Sequence, residues 1–176
     1  MKDSYDLSLL RDKKPKRLNS KKKGNTFERD VCKLLNEAFG TTEFNRAPNS
    51  GAYASTHNLP SAYKIYGDLI VPSDFKFTIE CKKGYNKASI DELLNYSGIV
   101  VNFLDQTIKD AEKAGRIPLL LWKQDRKPIL AVTPLEAPLD SFIYFKYPSK
   151  NLTYSYYYIY RFKDLLTLDK SFWFNI

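Results

Sequence analysis

An α+β domain in which helices flank a mixed β-sheet is the fold class this sequence predicts. Three observations lead there: an amphipathic helical repeat near the start, strand-length apolar runs after it, and a second helical stretch between two groups of those strands. With 176 residues the chain fits one domain, able to bury ~70% of the surface its unfolded form exposes.

The first helix is expected over Asn25 to Phe39, because Phe27, Val31, Leu34, Leu35 and Ala38 recur at helical spacing and Gly40 supplies a stop. Thr41 to Ala47 has the character of a short strand. Pro48 to Tyr66, rich in Pro, Ser, Asn, Gly and Tyr, has the composition of a loop. Asp68 to Val71 and Phe75 to Lys82 are then expected to pair as a hairpin about Pro72-Ser73-Asp74. In the second strand Phe75, Phe77, Ile79 and Cys81 alternate with Lys76, Thr78, Glu80 and Lys82, so the apolar side chains share one face.

Ser89 and Glu92 have the S-x-x-E spacing of a capping box. They open a helical stretch that breaks at Ser97-Gly98 and resumes to Ala114, ahead of Gly115. Ile117 to Trp122 and Ile129 to Val132, separated by Gln124-Asp125-Arg126-Lys127, form a second expected hairpin. Phe142 to Tyr147 and Tyr154 to Arg161 are aromatic strands, followed by a short helix or turn at Phe162 to Leu168. Tyrosines such as Tyr154, Tyr156, Tyr157, Tyr158 and Tyr160 either stack on unpaired bases or fill a core or dimer interface.

Hydrophobic residues at 43% and charged residues at 27% are ordinary for a soluble protein. No apolar run approaches the roughly 20 residues of a membrane span, and the N-terminus lacks a signal-peptide pattern. Cys32 and Cys81 suggest neither a disulfide framework nor a zinc site, and an intracellular, cytoplasmic setting is expected. The formal charge of +8 is unevenly spread: residues 1–23 carry +6 of it. The expected organisation is therefore a basic arm over 1–23 and a single domain over 24–176. Lys21, Lys22 and Lys23 belong to that arm, which is either a solvated leader or a phosphate-binding element with salt-sensitive grip.

Chemistry concentrates on Asp68, Glu80 and Lys82. Residues two apart on a strand share a side, so Glu80 and Lys82 are presented together, with Asp68 near them across the turn. Two carboxylates suit a hard divalent cation such as Mg²⁺, which keeps several waters and takes further oxygens from a phosphate. Lys82, with carboxylates beside it, is suited to electrostatic stabilisation rather than general-base work. An acid, acid-x-lysine pattern also arises on ordinary surface hairpins, so its flanks matter.

Those flanks are KKGNTFERDVCKLL, FNRAPNSGAY, GDLIV and FTIECKKG. In order and spacing, residues 22 to 84 resemble the archaeal Holliday-junction resolvases and their bacterial and phage relatives, of the PD-(D/E)xK, restriction-endonuclease-like superfamily. The resemblance implies a restriction-endonuclease-like core and a homodimeric, Mg²⁺-dependent endonuclease, with Mn²⁺ a possible substitute, that cuts four-way or other branched DNA. It assigns Asp68, Glu80 and Glu28 to metal binding; apart from the resemblance, the Cys81 backbone carbonyl is a further candidate metal ligand, its side chain following the core alternation. Lys82 matches the catalytic lysine, and Arg46 and Ser50 act near the scissile phosphate; Gln106 matches a helix glutamine of some relatives loosely. Gly67 stands where many members have proline, and the stretch between Gly51 and Asp68 is longer than in archaeal members.

Bland alternatives accompany these assignments. Glu28 could close an N-x-x-E helix cap with Asn25, Arg46 could pair with an acid, and Ser50 could serve only the turn. Lys83 and Lys87 are phosphate contacts or plain exposed lysines, and the lone His57 suits loop duty better than catalysis. At the level of function, the alternatives are another nuclease of the superfamily, acting on duplexes, flaps or ends, and a non-catalytic DNA-binding protein.

Overall fold

The computed structural model describes residues 20–48, 66–148 and 154–175. Its elements in chain order are α1 (Ser20–Phe39), β1 (Asn45–Arg46), β2 (Leu69–Ile70), β3 (Phe77–Lys83), α2 (Asp91–Leu94), α3 (Ile99–Ala114), β4 (Ile117–Lys123), β5 (Ile129–Thr133), β6 (Ile143–Lys146), β7 (Tyr156–Arg161), α4 (Phe162–Leu165) and α5 (Lys170–Trp173). Five strands form a mixed sheet in the order β3-β4-β5-β7-β6, while β1 and β2 form a separate antiparallel pair. Among the described residues only β3 and β4 are parallel. A parallel pair needs a long crossover, which α2 and α3 provide.

Helices cover both faces of this sheet, the arrangement of a restriction-endonuclease-like core. On one face α1 places Phe27, Val31, Leu35 and Phe39 against Phe77, Ile79 and Cys81 of β3 and Leu119 and Leu121 of β4. On the other, Val100, Leu104 and Ile108 of α3 meet Leu120, Trp122, Val132, Tyr157 and Ile159. Strand alternation sends odd and even positions to opposite helices, so β3 is buried on both sides.

α1 begins at Ser20, five residues before the expected start, and carries Lys21 to Lys23 in its first turn. The apolar repeat does not reach that turn, which leaves only polar side chains to signal it. The expected strand at Thr41 to Ala47 shortens to two residues. Gly98, with φ of 106°, breaks the helical stretch where expected. Glu92 accepts from the backbone N–H groups of Ser89 (3.3 Å) and Val100 (2.9 Å), joining the two halves. The hairpin β4–β5 forms as expected.

The hairpin about Pro72-Ser73-Asp74 forms only in part. One backbone bond, Asp68 N–H to the Ile79 carbonyl at 2.8 Å, links its two arms, but β2 pairs with β1. At the start of β3 the C-terminal segment braces the other edge, in line with β4: Phe75 bridges to Phe174, the Lys76 N–H donates to Trp173 O at 2.8 Å while the Lys76 carbonyl accepts from Ile117 N–H of β4 at 2.8 Å, and the Asn175 N–H donates to Asp74 O at 2.9 Å. Trp173 is fully buried, stacked on Phe75 at 5.9 Å and edge-on to Phe39 and Phe77. Such pairs contribute about 0.5–1.5 kcal/mol each beyond area burial. In the tyrosine run, Tyr157 and Tyr160 are buried and Tyr156 is exposed, so core filling accounts for the inward members.

Candidate active site

Asp68 is fixed by the close approach of its segment to β3. Gly67 has φ of 81°, and a Cβ there would stand 2.6 Å from the Ile79 carbonyl oxygen. Proline holds φ near −65°, so this backbone excludes the residue usual at that position in the superfamily and requires glycine. Asp68 then ties its segment to two others: its N–H bonds Ile79 O and its Oδ2 accepts from Cys81 N–H at 2.8 Å, both on β3, and its carbonyl accepts from Ala47 N–H, just past β1, at 2.9 Å.

Glu80 and Lys82 lie on the α3 side of β3. Glu80 is 2% exposed. Burial and then the charge of Asp68 push its carboxyl up to about 7, against the pull of Lys82. The Lys82 ammonium is ion-paired to Glu80 Oε1, donates to Gln106 Oε1 of α3 at 3.3 Å, and lies 5.4 Å from the Phe103 ring centre. Burial works to lower its pKa, yet Glu80 and Asp68 together outweigh that and hold it above the ordinary lysine value. Lys82 is therefore a fixed positive charge beside the carboxylates.

Glu28 reaches the same region from α1. Because α1 starts at Ser20, Asn25 and Glu28 lie inside the helix and the capping alternative does not form. Arg46 is ion-paired through Nε to Glu28 Oε2 and donates from Nη2 to Asn25 Oδ1 at 3.0 Å. The acid partner weighed for Arg46 is thus Glu28 itself. Burial and then Asp68 raise the Glu28 carboxyl, while Arg46 and Arg29 lower it.

Three buried carboxylates, Glu28, Asp68 and Glu80, face two cations, Arg46 and Lys82, and Asp68 disfavours the charged form of both glutamates. This surplus of buried negative charge suits a divalent cation. The N–H and C=O of one strand residue share an edge. Since Cys81 N–H points at Asp68, its carbonyl is turned the same way. The donors Asp68, Glu80 and Cys81 O are all hard oxygens, as Mg²⁺ or Mn²⁺ requires. Among the described residues no three His, Cys, Asp or Glu side chains already converge as a metal cage. Glu80 and Glu28 are ion-paired to Lys82 and Arg46, and an open site with few protein ligands is the usual Mg²⁺ arrangement.

Around this centre Lys83 has its ammonium 6.0 Å from the Phe27 ring centre, Lys87 is exposed, and Lys23 pairs with Asp125 at 3.8 Å. Lys22 is exposed in the first turn of α1, which also contains Lys21. Ser50 and His57 lie outside the described residues. Sequence reasoning weighed Gln106 only loosely and passed over Tyr85, Phe103 and Asp110. The Tyr85 ring meets Phe103 at 4.8 Å, and the charge of Asp110 adds to the upward push on the Glu80 carboxyl. The α3 periodicity that packs Phe103 on the sheet also brings Gln106, three residues on, towards β3.

A mixed sheet flanked by helices, with an acid entering at its edge strand and an acid-x-lysine segment on that strand, defines the PD-(D/E)xK class. The family described as "Phage putative PDDEXK endonuclease" matches residues 19–172, and the chain belongs to it. No curated protein and no solved structure matches the chain. Among the described residues no helix is long and apolar enough to cross a membrane.

Proposed function

We propose that this nuclease is a Mg²⁺-dependent endodeoxyribonuclease that cuts branched DNA in the manner of a Holliday-junction resolvase, acting as a homodimer. One observation carries the reading: Asp68, Glu80 and Lys82 meet at the β3 edge beside the Glu28–Arg46 pair, which joins the first helix to the R-x-P-x-S-G segment. When bound, the cation would neutralise phosphate charge and acidify a water. Asp68, Glu80 and the Cys81 carbonyl would hold it. Lys82 stays protonated and stabilises the negative charge that builds on the phosphodiester. Arg46 uses Nε and Nη2 on Glu28 and Asn25, and its Nη1, which bonds nothing among the described residues, is available to a phosphate oxygen. A homodimer would present two such sites to opposed strands, as paired incisions at a junction require.

The test incubates the protein with labelled four-way junction, linear duplex, flap and single-stranded DNA, in Mg²⁺, Mn²⁺ or EDTA. Paired symmetric nicks at the junction, lost in EDTA and in Asp68→Asn, are the expected result. Preferred cutting of linear ends or flaps would replace the resolvase reading with another nuclease of the superfamily. DNA binding with no metal-dependent cutting of any substrate would leave a non-catalytic DNA-binding protein.

A further inference from the structure

Beyond Lys82 the chain builds a second charged feature. Lys83 ends β3 in parallel register with Lys123, the last residue of β4, and the Gly84 N–H donates to Lys123 O at 2.9 Å. The two segments then turn together. Asn86 Nδ2 donates to Asp125 Oδ2 at 2.9 Å, and the Asp125 N–H donates back to Asn86 Oδ1 at 2.9 Å. Gln124 Nε2 donates to the carbonyls of Tyr85 (3.1 Å) and Ala88 (2.8 Å). The turn at 124–127 is thereby locked to the 84–88 segment that follows the lysine of the candidate site. α1 joins them through the Lys23–Asp125 pair.

Arg126 sits at the third position of this turn, which closes with a Lys127 N–H to Gln124 O bond of 3.3 Å. Its φ is 61°, where glycine is unstrained and a long side chain is not. Strain kept on a locked, exposed turn points to use of the side chain. Arg126 is exposed and makes no ion pair among the described residues. Asp125, held between Lys23, Lys83 and Arg126, is the single acid in this cluster, and those cations lower its pKa after the Asn86 hydrogen bond.

We propose that the 124–127 turn, with Lys23 and Lys83, is a ledge that binds the DNA phosphate backbone of an arm running past the cleavage site, and that Asp125 is the counter-charge which a DNA phosphate displaces. The proposal names a contact region for the nuclease reading and rests on it for the polyanion, but it concerns binding alone. Lys23 then exchanges Asp125 for phosphate, and Arg126 adds a guanidinium fork suited to phosphate oxygens.

The test measures anisotropy of a labelled duplex and a labelled four-way junction in EDTA across a salt series, for the full chain and two variants. Arg126→Gly removes the guanidinium and suits the backbone. It is expected to keep or raise the melting temperature while weakening binding roughly three- to tenfold and flattening the salt slope by about one. Asp125→Asn keeps the Asn86 hydrogen bonds and removes the charge; it is expected to tighten binding several-fold. Unchanged affinity and slope in Arg126→Gly, or weaker binding in Asp125→Asn without loss of thermal stability, would overturn the ledge. Should the variants behave as expected while no substrate is cut in Mg²⁺, the ledge stands and the catalytic reading fails.

Discussion

Gln106 accepts a hydrogen bond from the Lys82 ammonium at 3.3 Å, so the longer crossover helix α3 helps aim the lysine of the candidate site. Gln106→Ala is expected to lower the single-turnover cleavage rate roughly three- to tenfold with little change in DNA affinity, because it loosens an electrostatic group without removing it. Lys82→Ala should cost about 10²–10³ in the same assay. Equal rates for wild type and Gln106→Ala would show that Glu80 alone positions the lysine.

Glu80 carries a pH signature. Its carboxyl is raised from 4.5 to about 7 in the fold, so its contribution to stability is fully present below 4.5 and lost as pH rises through 7. Relative to the metal-free wild type, Glu80→Gln should therefore gain stability between pH 5 and pH 8, by roughly 1–3 kcal/mol. Saturating Mg²⁺ should erase the difference by stabilising the charged wild-type site. Urea titrations at the two pH values, with EDTA and with Mg²⁺, measure it. A parallel pH dependence of the two proteins in EDTA would contradict the surplus of buried negative charge.

The Glu28–Arg46 pair joins α1 to β1 and is mostly buried. Arg46→Ala leaves Glu28 beside Asp68 without its main cation and is expected to destabilise the metal-free protein by roughly 1–3 kcal/mol. Adding Glu28→Gln to Arg46→Ala should restore part of that loss. A double-mutant cycle by chemical denaturation reads the coupling, and additive losses would mean that the pair contributes nothing.

Gly67 makes the sharpest steric prediction. Both Gly67→Ala and Gly67→Pro should destabilise the fold by roughly 2 kcal/mol or more, the alanine through its contact with Ile79 O and the proline through a φ it cannot adopt. The proline variant restores the motif residue common elsewhere in the superfamily, yet thermal melts should place it below wild type.

How much of this was legible depended on distance along the chain. The faces of α1 and β3 and the β4–β5 hairpin followed from periodicity, since Phe27, Val31 and Leu35 repeat once per turn and Phe77, Ile79 and Cys81 alternate. Asp68, Glu80 and Lys82 were legible because their motif lies on adjoining segments. The ion pair that couples Glu28 to Arg46 was not, because nothing local states which acid an arginine will meet. The β1–β2 pairing was not legible either, nor was the contact of Trp173 and Phe174 with Phe75 and Lys76, which spans about a hundred residues, because no local pattern links these segments. The first turn of α1 was missed because its lysines have no apolar partners to mark the period.

That remote contact makes the gene fragile at a place where no chemistry is encoded. A late frameshift that spared every candidate active-site codon but removed Trp173 and Phe174 would unseat the start of β3, and with it the strand that presents Glu80 and Lys82. Affinity tags and fluorescent fusions for this nuclease therefore belong away from that closing segment.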